Sequence, residues 1–141
     1  MNISYNKITR TVRVQAGEKA YSFRLSLNGL QELEAVAFGG KSYFDYQKEY
    51  ATMPVSTIVE AFRIMLRSAG DSDTAKNPMQ VAEIICADAG LQGLEEVFYV
   101  TLAVSGILGA KTSATMLQQF GLENKDPAPA EQEGSEETEK N

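Results

Sequence analysis

Tyr21-Ser22-Phe23-Arg24-Leu25-Ser26-Leu27, followed at once by Asn28-Gly29-Leu30-Gln31-Glu32-Leu33-Glu34, changes its hydrophobic period in the middle. In the first half Tyr21, Phe23, Leu25 and Leu27 fall on one side, and Ala20, Ser22, Arg24 and Ser26 on the other. A period of two sends one set inward and the other to water, so this half reads as a strand. In the second half Leu30, Leu33 and Ala37 recur at helical spacing, with Asn28 as the N-cap and Gly39-Gly40 as the stop. Upstream, Ile8, Val12 and Val14 supply a weaker alternating partner, and Gln15-Ala16-Gly17-Glu18 forms a turn in which Gly17 can take positive φ. The N-terminal segment is therefore predicted to be a two-stranded β-hairpin, marginal alone, whose apolar face must rest on helices.

Beyond Gly40 the pattern is helical and well punctuated. Ser42 with Asp45 starts a helix carrying Tyr43, Phe44, Tyr46 and Tyr50, which stops before Pro54. Thr57 and Glu60 have the spacing of a capping box for a helix whose stripe is Ile58, Phe62, Met65 and Ala69, with Glu60, Arg63 and Arg67 on its surface. Residues 70–76 read as a polar loop. Asn77-Pro78 restarts a helix with Val81, Ala82, Ile84 and Ile85 on its apolar side, and Gly90-Leu91 suits a left-handed cap with its hydrophobic contact. A helix from Leu94 to Leu108 is apolar almost all round, through Val97, Phe98, Val100, Leu102, Val104 and Ile107, as a buried helix should be. A short helix from Ser113 to Phe120 comes last, with Met116, Leu117 and Phe120 facing inward. The predicted fold is α+β: a hairpin packed on about five helices, in one domain over residues 1–122.

Residues 123–141 are different in kind. They hold seven acids against Lys125 and Lys140, a net −5 of the whole chain's −6, and no large apolar side chain. Such a segment cannot bury enough surface to offset its ordering entropy, and the prediction is a disordered acidic tail whose removal leaves the folding midpoint nearly unchanged. The body, with 12 acids and 11 bases, is close to neutral and gives no general attraction to nucleic acid. The first 24 residues run the other way, with Lys7, Arg10, Arg13, Lys19 and Arg24 against Glu18, ordinarily a solvated face and alternatively a phosphate-binding one.

Composition narrows the chemistry. The 141 residues include no histidine, the commonest general base and metal ligand, and Cys86 is the only cysteine. No intramolecular disulfide or thiolate cluster can form, and Cys86 among Ile84, Ile85 and Ala87 reads as a small buried hydrophobe. Gly106-Ile107-Leu108-Gly109-Ala110-Lys111-Thr112 has the wrong spacing for a phosphate-binding loop and comes after a helix, not a strand. Glu32/Glu34 and Glu95/Glu96 lack the three- or four-residue spacing that brings helical side chains together, and are expected to be solvated. No enzyme activity, cofactor or metal is expected. Nothing at the N-terminus looks like a signal peptide, and the uncharged run from Val97 to Ala110 is short of the roughly 20 residues a span needs, so a cytoplasmic chain with no membrane contact is expected.

The cluster in the second helix has more content. Tyr43, Tyr46 and Tyr50 share one face, and Phe44 points away. Tyrosine buries apolar area while keeping a polar tip wet, which makes such a face ordinary core; it is also a favoured anchor for partners. Tyr43, Tyr46 and Tyr50 are the candidate partner-binding residues.

With these elements placed, the chain resembles the tail assembly chaperones of long-tailed phages and phage-derived gene transfer agents. The resemblance covers about residues 8 to 109. It lies in Tyr21–Leu25 leading to Asn28–Glu34 with its Leu-x-x-Leu-Glu ending, and in Leu66-Arg67-Ser68-Ala69-Gly70 with a helix ending at Gly90 and an apolar helix after it. Family members often carry alanine where Gly29 stands. The resemblance implies a small protein that binds the tape measure protein, keeps it soluble, helps recruit tail tube subunits, and is absent from the finished particle. It also implies a gene that often carries a translational frameshift. Two other classes remain open: a structural virion component (a tail tube or head–tail joining subunit), and a small nucleic-acid-binding regulator using the basic hairpin. Homo-oligomerisation is compatible with the sequence, which fixes no stoichiometry.

Overall fold

In the computed structural model, which describes residues 1–122, the alternation at residues 19–23 belongs to the last strand of a three-stranded antiparallel sheet. The order is β1 (Asn2–Asn6), β2 (Thr11–Ala16), β3 (Lys19–Phe23). The fold is α+β, as predicted, with one strand more than the hairpin. Ile3 stands opposite Val14 and Val14 opposite Tyr21; Tyr5 stands opposite Val12 and Val12 opposite Phe23. All six are buried, and they form the sheet's inner face. Ile8, expected to be part of a strand, lies 91% exposed in the β1–β2 turn. There Asn6 Oδ1 accepts from the backbone N–H groups of Ile8 and Thr9, and Arg10 closes the turn at φ 58°. The side chain of Asn6 thus competes with continued pairing and ends β1.

The strand-to-helix switch comes earlier than its hydrophobic pattern suggests. Ser26, not Asn28, caps α1 (Leu27–Val36), its Oγ accepting from Gly29 N–H at 3.0 Å. Leu25 is buried, but Leu27 is already in the helix's first turn and 71% exposed, so the period of two breaks after Leu25. Gly29 is buried where α1 meets the third helix. A Cβ there would stand 3.1 Å from Ile64 Cγ2 and 3.2 Å from Leu25 Cδ1.

The remaining helices are α2 (Tyr43–Glu49), α3 (Val55–Ser68), α4 (Ser72–Ala75), α5 (Pro78–Ser105) and α6 (Ala110–Gln119). Ser42 and Asn77 cap α2 and α5 as expected. The capping box of Thr57 and Glu60 is not formed: α3 starts at Val55 behind Pro54, Thr57 is buried inside the first turn, and Glu60 pairs with Arg63. The loop at 70–76 contains α4, one turn capped by Asp71, whose carboxylate accepts from Thr74 N–H at 3.1 Å. Gly90 takes a positive φ of 75° with ψ −174°, which is not helical backbone, so the span α5 is two helical segments, 78–89 and 91–105, that meet at Gly90 as the glycine's punctuation predicts, the second starting at once. Leu91 therefore begins a new turn and is exposed, without the capping contact. The helix stops at Ser105, because Gly106 takes φ 81°; Ile107 and Leu108 fall in the turn beyond.

Val97, Phe98, Val100 and Leu102 are fully buried, as the all-round apolar pattern requires. The kinked span α5 packs against β2 on one side and α3 on another, while α3 also meets β3 and α1. The rings of Phe23 and Phe62 join sheet to helix at 5.1 Å. Among the inward residues expected of α6, Leu117 and Phe120 are half-buried against the core. The predicted disorder of residues 123–141 lies outside the described residues.

Candidate functional site

The tyrosines of α2 sit in an aromatic row built from two helices. Phe38, just past the end of α1, stacks on Tyr46 with centroids 4.3 Å apart and planes 17° apart, and Tyr46 in turn meets Tyr50 at 4.6 Å with the rings tilted by 34°. Tyr43 approaches Phe98 of α5 at 6.5 Å and Phe44 edge-on at 5.4 Å. The three candidates divide by exposure: Tyr43 is 4% and Tyr46 5% exposed, whereas Tyr50 is 42%. Two of them are core residues that hold α2 in place, and one presents its ring to solvent. Phe44, on the other side of the helix, is 62% exposed.

Each buried hydroxyl has its own environment. Tyr46 and Thr57 share a hydrogen bond of 2.7 Å between their hydroxyls, tying α2 to the first turn of α3. This is what Thr57 does in place of capping. The Tyr43 hydroxyl makes no such short bond; burial, and to a lesser degree the neighbouring Tyr99, push its ionisation far above the ordinary phenol range. Tyr99 is raised as well, chiefly by burial. Burial thus favours the neutral, protonated form of both phenols.

Beside this row lies an open cleft of about 340 Å³, bounded by Ala37–Gly39, Lys41, Tyr46, Tyr50, Pro54, Ser56 and Thr57. Lys41 and Glu49, also at the cleft, form an ion pair, and that hydrogen bond raises the pKa of Lys41. Val36 and Val55, both exposed, adjoin the lining residues Ala37 and Pro54 in sequence. Phe38 and Thr57 complete this site, yet neither belongs to the tyrosine helix. Phe38 precedes the Gly39-Gly40 break, and only the fold brings it onto Tyr46.

Three of the four acids in the pairs Glu32/Glu34 and Glu95/Glu96 have structural partners instead of solvated faces. Glu32 bridges to Arg63 and Arg67, and the Arg67 hydrogen bond holds its carboxyl below the usual range. Glu34 accepts from Tyr43 N–H at 3.1 Å, and Glu95 from Met53 N–H at 3.2 Å. Glu96 is raised by burial. Cys86 is half-buried. Among the described residues no group of three or more His, Cys, Asp or Glu side chains could hold a metal ion, and no helix is long and apolar enough to cross a membrane.

By architecture this is an α+β protein in which an antiparallel sheet covers one side of a helical layer and an aromatic cleft opens at the α1–α2–α3 corner. No protein-family model matches the chain, and comparison with curated proteins and with solved structures finds no match.

Proposed function

We propose that the chain is a tail assembly chaperone that binds an apolar helical segment of a tape measure protein, keeps that client soluble and helps recruit tail tube subunits. The observation that carries this reading is the cleft beside Tyr46 and Tyr50, small, lined by the rings of Phe38, Tyr46 and exposed Tyr50, and with the Lys41–Glu49 ion pair at its side. A cavity of that size accepts one or two large apolar side chains, which is how a helix presents its anchors to a groove. The strand-to-helix pattern of residues 21–34, with its resemblance to the tail chaperones, supplies the client's identity. Tyr50 is the partner-binding member of the tyrosine set, and Tyr43 and Tyr46 act through the position of α2.

Co-expression with the neighbouring tape measure protein tests the reading. The client should be more soluble with this chain than alone, and should co-purify with it. Tyr50→Ala should weaken co-purification while leaving the unfolding midpoint within about 0.5 kcal/mol of the parent, as surface substitutions do. A client equally soluble alone that never co-purifies removes the proposal. Stoichiometric copies in purified particles would assign the chain to the virion instead.

A further inference from the structure

The bases of the chain fall into two populations. Each base from Lys41 to Lys76 has a carboxylate partner: Glu49 for Lys41, Asp45 for Lys48, Glu32 and Glu60 for Arg63, Glu32 for Arg67, and Asp73 for Lys76. Among the described residues no carboxylate pairs with Lys7, Arg10, Arg13, Lys19, Arg24 or Lys111. Of these, Lys7, Arg10, Arg13 and Arg24 lie in or near one end of the sheet, with the Arg10 guanidinium turned toward the end of α5. Arg13 is the central residue of the outer face, between Ser4 of β1 and Ser22 of β3. Lys7 and Arg10 lie in the β1–β2 turn, and Arg24 donates from Nε to the Thr9 carbonyl of that same turn at 3.2 Å. Arg10 is anchored too, donating to the Ser105 carbonyl at 3.0 Å. Glu18 stands in the opposite turn, so this end of the sheet is uniformly positive.

The chain leaves its described part under the inner face of β1, next to the β1–β2 turn, so the segment that follows must pass the sheet's edge to reach Arg13. Leu122 is buried, and its carbonyl accepts from the hydroxyl of Tyr5, two residues before Lys7 in β1, at 3.1 Å. Directly after Leu122 come residues 123–141 with their seven acids. Fully extended they span at most about 60 Å, far more than the few strand widths between Tyr5 and Arg24.

We propose that Lys7, Arg10, Arg13 and Arg24 form a docking surface for this chain's own acidic segment 123–141. Exposed ion pairs are individually weak, but four cations facing seven tethered anions act together, and the tether supplies a high effective concentration. The charges that the body leaves unmatched are thus matched by the charges its C-terminal segment carries in excess.

The test uses the full chain. A nitroxide at Ser135→Cys, in a Cys86→Ser background, should broaden the amides of Ser4, Lys7, Arg13 and Ser22 by about threefold or more in low salt. The effect should vanish at about 0.5 M salt, where the screening length is about 4 Å. It should also vanish in Lys7→Gln/Arg13→Gln, two side chains with no carboxylate partner among the described residues to lose. Should the labelled background fail to fold, amide shifts of the unmodified chain between the two salt conditions, with and without Lys7→Gln/Arg13→Gln, give the same answer. Broadening centred on another face, or none at low salt, overturns the proposal. So does broadening seen only when labelled and isotope-enriched molecules are mixed, which would assign the segment to a second copy. A short DNA duplex that shifts these amides at physiological salt, while the nitroxide leaves them sharp, would give the face to nucleic acid and also overturn it.

Discussion

Gly29 is buried where α1 meets α3, and its surroundings fix what a side chain there would meet. A Cβ at 3.1–3.3 Å from Ile64, Leu25 and Ser26 is crowded, but only by side chains that can yield a few tenths of an ångström. Alanine gains about 1 kcal/mol of helix propensity over glycine, which offsets that crowding. Gly29→Ala should therefore fall within about 1 kcal/mol of the parent in urea unfolding, whereas Gly29→Val should cost about 1–3 kcal/mol through overpacking. Thr57 is the second residue with a sharp expectation. Thr57→Val keeps the shape and leaves the Tyr46 hydroxyl buried without its partner, which should cost about 1–3 kcal/mol. Tyr46→Phe in the same background should recover part of the loss, since both polar groups are then gone; a double-mutant cycle by chemical denaturation reads the coupling.

At the scale of elements, the joint between α1 and α3 depends on charge as well as packing. Glu32 sits between Arg63 and Arg67 with its carboxyl depressed, chiefly by the Arg67 hydrogen bond. A depressed carboxyl contributes stability fully present above the ordinary value of 4.5 and lost as pH falls through the lower folded value. Glu32→Gln should be less stable at pH 7 by under about 1 kcal/mol, because the pair is partly solvated, and the gap to the parent should close below about pH 4. The kink in α5 has a different physics. Around Gly90 no atom lies within 4 Å of a would-be Cβ, yet its φ of 75° and ψ of −174° belong to glycine. Gly90→Ala should thus cost about 1–3 kcal/mol from backbone strain alone, measurable as a lowered unfolding midpoint. The kink also shows how much was legible in the residues. Glycine's punctuation at Gly90 could be read, but not that helix would resume in the next residue. The alternation of Tyr21 and Phe23 was plain, while β1 offers only Ile3 and Tyr5 between polar neighbours, too few to stand out from a polar loop. Leu27 continued the alternation in sequence and belonged to the helix in space, because the Ser26 cap decides the switch. Of the candidate site, the tyrosine face was visible; its division into buried Tyr43 and Tyr46 and exposed Tyr50 required Phe38 and Thr57, which come from other elements.

For the molecule as a whole, removing residues 123–141 should shift the unfolding free energy by no more than about 1 kcal/mol, because surface charge pairs contribute little. A truncated protein that unfolds much more readily would place the segment in the core's support. Apparent stability of the full chain should instead change with salt only slightly, read by the same midpoint. The order in which the pieces appear has a further effect. The sheet is complete by Phe23, but the part of α5 that covers its inner face centres on Val97 to Leu102. A ribosome adding about 5–20 residues per second needs about 4–15 s to make the intervening stretch. Helix α3 reaches β3 earlier through Phe62 on Phe23, but for that interval Ile3, Tyr5, Val12 and Val14 of β1 and β2 lack their α5 cover, and the newborn chain carries an uncovered apolar surface. The meander's opposite side is polar, with Arg13 between Ser4 and Ser22, and a charge at the centre of that face disfavours pairing with neighbouring nascent chains until α5 arrives.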